Sequence, residues 1–258
     1  MSEIIDWSIV GPAFVAGLII LSTHVPLGAV VLERGIIFID LAIAQIAGLG
    51  VIAAHSMDWN PGGIEVQIAA VSAALIASLG LAWSERHWPK IQEPLIGILF
   101  ILAATGGILL LAGNPHGSEH LKELLVGQIL WSTWPDLVPV AVLYAIILAI
   151  WFLLRERLGS WVFYVSFAFV VTASVQIVGI YLVFASLIIP ALATAGLSGR
   201  KRLWLGYLIG GVSYFAGIIA SAVLDLPTGA IIVWAMAVIS LLAGFALGNI
   251  KAANTGSN

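Results

Sequence analysis

The side chains able to do chemistry in this sequence are few, and several lie where they are costly. Asp40 and Gln45 fall inside LERGIIFIDLAIAQIAGLGV, an apolar run over residues 32–51. An acid in hydrocarbon costs about 2.5–3.5 kcal/mol by insertion scales, so such residues face a protein interior or a polar path. His24 lies in another apolar run, just before Val25 and Pro26. His55 closes the run over residues 36–54. The longest polar insert, GNPHGSEHLKELLVGQILWSTWPD, carries His116, Glu119, His120 and Glu123. Residues four apart share one face of a helix, which would pair His116 with His120 and Glu119 with Glu123. Imidazole together with carboxylate suits Zn²⁺ or Mn²⁺. A divalent cation crossing hydrocarbon needs such groups in place of its lost water. One polar route is therefore expected, from His116, Glu119 and His120 past His55 to Gln45, Asp40 and His24.

Each residue also has a plainer reading. Arg34 is six residues before Asp40, roughly 9 Å along a helix, and two flexible side chains near a helix end can span that. The insert could be a solvated loop whose acids cap a short helix over residues 120–130, with Ser118 at its start. His24 could bond carbonyls freed by a kink at Pro26. His55 could simply sit at the membrane interface, and His87 in a solvated basic loop. Gln176 could line the route or cross-link helices.

The chemistry that the sequence excludes narrows the field. None of the 258 residues is cysteine, so disulfides, thiolate metal sites and cysteine nucleophiles are ruled out. No GxxxxGK[ST], no GxGxxG after a strand, no HExxH and no nucleophile elbow occurs. An ATP site is not expected, and any pumping needs energy from another chain. The net charge of −3 comes without a basic stripe for nucleic acid. The acids of MSEIIDW stand where a signal peptide carries a basic region, so no cleaved leader is expected.

The elements that must position these residues are membrane helices. The chain is 61% hydrophobic and only 9% charged, against about 25% charged in soluble domains. Spans of about 20 residues are expected over 8–31, 36–54, 66–83, 94–112, 137–154, 204–224 and 230–247. Residues 161–196 are apolar throughout. A straight helix of that length would reach roughly 54 Å across a core of about 30 Å, so a break is expected near 176–179. Trp131 and Trp134 are expected at the membrane interface. The expected fold is an all-α integral membrane bundle of about eight or nine transmembrane helices. It forms one domain over 1–250, followed by a polar tail over 251–258.

Charge sets the expected sidedness. With the N-terminus outside and nine crossings, Arg34, Arg86, Lys90, Arg155, Arg157, Arg200, Lys201, Arg202 and Lys251 fall inside. These are nine of the ten Lys and Arg residues, a clear positive-inside bias, and the C-terminus is then inside. Both flanks of 161–196 are basic, which calls for two crossings or a re-entrant hairpin there.

At this point the sequence resembles the zinc/manganese permease family of ABC importers over roughly residues 12–247. The matching stretches are PLGAVVLERGIIFIDLAIAQIAGLG, VGIYLVFASLIIPALATAG and GGVSYFAGIIASAVLDLPTGAIIV. The pieces over 179–190 and 225–229 are the most specific. The resemblance implies a homodimeric permease in a bacterial inner membrane. Two cytoplasmic ATPase subunits would power it, and an extracytoplasmic binding protein would deliver zinc first, manganese second. Two departures stand out. The family's second span carries Asp-Ala-Leu-Ser-His. Aligned from Arg34 and Gly35, its acid and imidazole positions are Leu41 and Gln45 here, and Asp40 comes one residue early, about 100° round the helix. The family's longer cytoplasmic segment, which contacts the ATPase, is reduced to RERLGSW. That contact could be reduced, shifted to SERHWPKIQE, or absent. An ATPase-independent metal channel or carrier on the same fold, or a metal-chelate permease, are the alternatives.

Overall fold

The computed structural model describes residues 6–57, 59–60, 63–158 and 160–246. The expected polar tail, Gly159, and the side chains of 155–158 in RERLGSW lie outside the described residues and side chains. The described residues form helices and turns, with no strand. In chain order the helices are α1 (Trp7–Arg34), α2 (Ile39–Ser56), α3 (Ile64–His87), α4 (Gln92–Leu111), α5 (Gly117–Val126), α6 (Trp134–Leu158), α7 (Ser160–Ala193), α8 (Gly199–Leu224) and α9 (Thr228–Ala246). Short 3₁₀ turns, Pro89–Ile91 and Ile129–Trp131, precede α4 and α6. Among the described residues, eight helices are long and apolar enough to cross a membrane, all but α5. Helices are the outcome that hydrocarbon forces on such a chain, because they satisfy every backbone donor and acceptor within one segment.

The chain divides into two compact units. One takes the chain up to Arg34, Gln128–Val142, and everything from Tyr181 onward. Its core is α1 packed on α8, with α9 against α8. Small residues let these helices approach, the usual device where lipid supplies no hydrophobic drive between helices. A Cβ at Gly17 would stand 2.4 Å from the Tyr214 ring, and one at Gly210 would stand 2.5 Å from Leu21. Gly28 seats the Leu187 carbonyl, where a Cβ would stand 2.0 Å from that oxygen. Tyr214 Oη and Ser186 Oγ share a buried hydrogen bond of 2.8 Å, and Arg202 pairs with Glu33. Asp6, just ahead of α1, accepts hydrogen bonds from the hydroxyl and N–H of Ser8, which hold its carboxyl below the usual carboxylate range.

Pro26 explains one contact in this unit. A proline inside a helix cannot donate to the carbonyl four residues back, which here is Ser22. Tyr207 in α8 takes that place, its hydroxyl donating to the Ser22 carbonyl at 3.1 Å. Tyr207→Phe is expected to lower stability by about 1–3 kcal/mol, the cost of leaving a carbonyl without a partner in an enclosed site. The check is the thermal unfolding midpoint in detergent, and an unshifted midpoint would show that the carbonyl is satisfied some other way.

The other unit is Gly35–Gly127 with Leu143–Ile180. Here α2 packs against both α3 and α4. Gly50 lies on the backbone of Ala69 and Ala70, Gly107 on Ile52, and Gly48 beneath Leu124 of α5. Tyr144 donates to the Val170 carbonyl at 3.0 Å and meets Ser174. Gln92 donates to Tyr164 Oη at 2.6 Å. The corner between α3 and α4 is aromatic. Trp83 stacks on His87 with ring centres 4.4 Å apart and meets Trp88 edge-on, while Arg86 lies over Trp161.

The break expected near 176–179 falls at Gly179, whose backbone (φ 75°, ψ 166°) leaves the helix inside α7. Gly127, just after α5, has nearly the same conformation (φ 70°, ψ 176°). This region of backbone space is essentially open to glycine alone. The two glycines lie back to back: a Cβ on Gly127 would stand 2.0 Å from the Val178 carbonyl carbon, and one on Gly179 would stand 2.3 Å from the Gly127 nitrogen. Beside this contact Gln67 and Gln176 exchange two amide hydrogen bonds, of 2.5 and 2.8 Å. Of the two expectations for Gln176, a cross-link between helices is the one observed.

The polar insert differs from expectation at its start. Its helix begins at Gly117 rather than near residue 120, and Ser118 lies inside it rather than capping it. His116 holds the capping position without a side-chain cap, and its N–H donates to Asn114 Oδ1 at 2.9 Å. An asparagine side chain that bonds backbone two residues on makes the turn, and the helix follows from there. Trp131 and Trp134 are exposed, 78% and 54%.

Candidate functional site

α2 carries three of the expected site residues at different depths. Asp40 is in its first turn, Gln45 near its middle and His55 in its last turn. Asp40 and His55 are fifteen residues apart, about 22 Å along the axis, and Gln45 is rotated about 140° from Asp40. The helix therefore spreads these groups over most of a membrane's thickness rather than gathering them at one point.

Asp40 is wholly buried, and neither carboxylate oxygen has a hydrogen-bond partner. The ion pair with Arg34 weighed above does not account for it. Asp40 occupies the N-terminal turn of α2, where the backbone dipole is positive. Glu93 also serves this end of α2. Its Oε1 accepts from the Phe38 N–H at 3.4 Å, while Oε2 is buried without a partner. α2 has no side-chain cap of its own, so Glu93 from α4 supplies one. No sequence pattern signals this contact, since the two residues are 55 positions apart. Gln45 is half-buried.

His24 belongs to the first unit and is fully buried. Its Nδ1 lies 2.9 Å from the Ile20 carbonyl. A carbonyl can only accept, so Nδ1 carries the proton and Nε2 presents a lone pair. That Nε2 is buried without a partner. The carbonyl freed by Pro26 is Ser22's, and Tyr207 takes it, so the kink does not explain the histidine.

The insert resolves into two separate imidazole–carboxylate pairs. His116 Nδ1 lies 3.7 Å from Glu119 Oε2, with both side chains well exposed. His120 Nδ1 lies 3.9 Å from Glu123 Oε2. Across from it stands His55, with ring centres 6.1 Å apart and planes at 48°. The structure therefore joins His55 to His120 and Glu123, and does not assemble the full set of loop residues at one point. Among the described residues no three His, Asp or Glu side chains converge closely enough to hold a metal ion.

Comparison with known proteins fits this architecture. The model of the ABC 3 transport family matches residues 6–172 and 157–247. The chain belongs to the ABC 3 transport family. This is the family that the sequence resembled, and its members are transport subunits rather than enzymes. The chain is a multi-pass membrane protein. Among relatives, it is 26% identical to the manganese transport system membrane protein MntC of Halalkalibacterium halodurans, covering 94% of this chain and 89% of that one. It is 22% identical to the high-affinity zinc uptake system membrane protein ZnuB of Haemophilus influenzae, covering 93% and 98%. Other relatives are named for iron transport. Among solved structures, PsaBC from Streptococcus pneumoniae superposes with a TM-score of 0.74 at 22% identity, covering 94% of each chain. That likeness shows a shared fold.

Proposed function

We propose that this ABC 3 family member is the membrane-spanning permease subunit of an importer that carries a divalent transition metal into the cytoplasm, zinc before manganese. Asp40 carries the proposal. A buried carboxylate without a partner costs the fold energy and returns nothing to it, whereas a passing cation would satisfy it. Relatives named for manganese, zinc and iron support a metal cargo without choosing among the three. Imidazole ligands suit zinc better than manganese, which favours oxygen donors. In this reading Asp40 and Gln45 line the path on α2, His24 adds a nitrogen on α1, His55 and His120 receive the ion outside, and the exposed pair His116 and Glu119 draws it toward them.

With the stretches of α7 on either side of Gly179 counted as separate crossings, the spans number nine, so the N-terminus faces outward and the C-terminus inward, in a bacterial inner membrane, with residues 1–250 as one permease domain. Two copies pair, two cytoplasmic ATPase subunits supply the energy, and an extracytoplasmic binding protein delivers the ion. A second reading, an ATPase-independent carrier, draws on one observation. α6 ends at Leu158 and α7 starts at Ser160, so no coupling helix fits between them. In the importer reading the ATPase contact then moves to the α3–α4 corner, where Trp83, Trp88 and Ile91 are exposed.

The experiment is uptake of radioactive zinc and manganese into proteoliposomes, first with this chain alone, then with a candidate ATPase, binding protein and ATP. Uptake only in the full set is the expected result. Gradient-driven uptake by the chain alone would overturn the importer in favour of the carrier.

A further inference from the structure

We propose that His55 and His120 are paired ligands of one transition-metal ion, with Glu123 as the group that orients His120. The site bridges the last turn of α2 and the short helix α5. It deepens the metal-permease reading and rests on it for the identity of the ion, but it selects a ligand set that neither the family match nor the spacing of the insert supplies.

Three observations carry it. The first is the distance between the rings. A metal–nitrogen bond of about 2.0–2.1 Å puts each imidazole centre about 3.2 Å from the ion, and two such rings at a tetrahedral angle about 5.2 Å apart. The observed separation is 6.1 Å, which a closure of about 1 Å, or a wider angle at the metal, brings to coordination. The second is the unused nitrogen. His55 Nε2 is buried and has no hydrogen-bond partner, a cost that a metal bond would remove. The third is the carboxylate behind His120. Glu123 Oε2 lies on the Nδ1 side of that ring, which leaves Nε2 for the ion. A ligating histidine whose other nitrogen faces a carboxylate is the common second-layer arrangement around zinc.

The rings are not explained by stacking. His87 shows what a stacked histidine looks like in this chain: its plane is 24° from Trp83, and its Nδ1 lies 2.9 Å from the Trp83 carbonyl. The His55 and His120 planes are at 48° with centres 6.1 Å apart, tilted and farther apart than the stacked pair.

Two protein ligands leave two positions of a tetrahedral ion open to water or to another donor. Closed structural sites use four protein ligands and hold their metal. A two-imidazole site is therefore suited to accept an ion and release it, which a transporter needs at the mouth of a path and a storage site does not. His116 and Glu119, exposed and paired with each other, lie outside this ligand set.

The test uses the full chain purified in detergent, with no ATPase or ATP. Zinc affinity is measured by equilibrium dialysis, and Co²⁺ serves as a spectroscopic probe of tetrahedral nitrogen coordination. H55Q and H120Q are each expected to weaken zinc binding at least tenfold and to remove the cobalt bands. E123Q is expected to weaken binding by about 10-fold or more while keeping the bands, as loss of an orienting partner does. H87Q is expected to match the wild type. Gel-filtration profiles of all variants establish that they are folded. If H55Q does not fold, H120Q on the exposed helix carries the test alone. Wild-type affinity and spectrum in folded H120Q would overturn the proposal, as would an H116Q loss equal to that of H120Q. If these variants lose the site while the reconstituted system shows no metal uptake, the permease reading fails and the site stands. If uptake occurs and the variants bind as wild type, this proposal fails alone.

Discussion

Asp40→Ala is expected to reduce metal uptake about 10-fold or more while leaving the protein at least as stable as the wild type. The two halves of this expectation come from the same observation. Asp40 is fully buried with no hydrogen bond to either carboxylate oxygen. A buried charge without a partner destabilises a fold, and replacing it with an apolar residue is commonly neutral or stabilising. Its removal from a path, however, takes away an oxygen that stands in for water around a dehydrated cation. A 10-fold loss corresponds to about 1.4 kcal/mol of barrier, a modest share of what a charged ligand supplies. Asp40→Asn separates charge from shape, since it keeps the side-chain volume and an acceptor oxygen. It is expected to fall between alanine and wild type in uptake. The checks are initial uptake rates in the reconstituted system and thermal midpoints of the purified variants. Full uptake in Asp40→Ala would remove Asp40 from the path. A lower midpoint with normal uptake would make the carboxylate a structural group.

The largest structural effect is expected at the contact between Gly127 and Gly179. Either glycine replaced by alanine should fail to accumulate in the membrane, a loss of more than about 4 kcal/mol, in the range reserved for a named and severe mechanism. Two penalties act together. The added Cβ would stand 2.0 Å from the Val178 carbonyl carbon in one case and 2.3 Å from the Gly127 nitrogen in the other. Those neighbours are backbone and cannot swing aside. Both positions also have positive φ, where a side chain is strained before any contact is considered. Gly80→Ala is the matched control. It lies within α3 with nothing within 4 Å of the added carbon, and helix propensity favours alanine there by about 1 kcal/mol. Membrane levels of tagged variants decide the matter. Normal accumulation of Gly179→Ala would mean that α7 can straighten through residue 179, and that the break is not required.

How much of this was legible beforehand depended on the range of the interaction. Asp40 and His24 stood out because a polar group in a long apolar run is conspicuous without knowledge of its neighbours. The glycine break was placed to within a few residues because a 36-residue apolar run exceeds the bilayer. Ser118 lies inside the helix rather than capping it because Asn114 makes the turn three residues before the helix begins at Gly117, and serine inside a first turn looks the same in sequence. Glu93 does not stand out in sequence, since it is one carboxylate among thirteen acids and the N–H it accepts from is 55 positions away.

Composition and hydropathy by themselves determined that this chain is a helical membrane bundle, roughly where its spans lie, and that thiol chemistry is not its own. Motif order determined its family. Which helices meet, and with which faces, was decided by tertiary structure alone. A soluble helix announces its buried face by an apolar stripe, but these helices are apolar all round, so lipid-facing and protein-facing sides look alike in sequence. His55 with His120, Gln67 with Gln176 and Tyr207 with the Ser22 carbonyl are pairs of that kind. Each joins groups from helices far apart in the chain, and each depends on a rotation about a helix axis that only packing against small residues fixes.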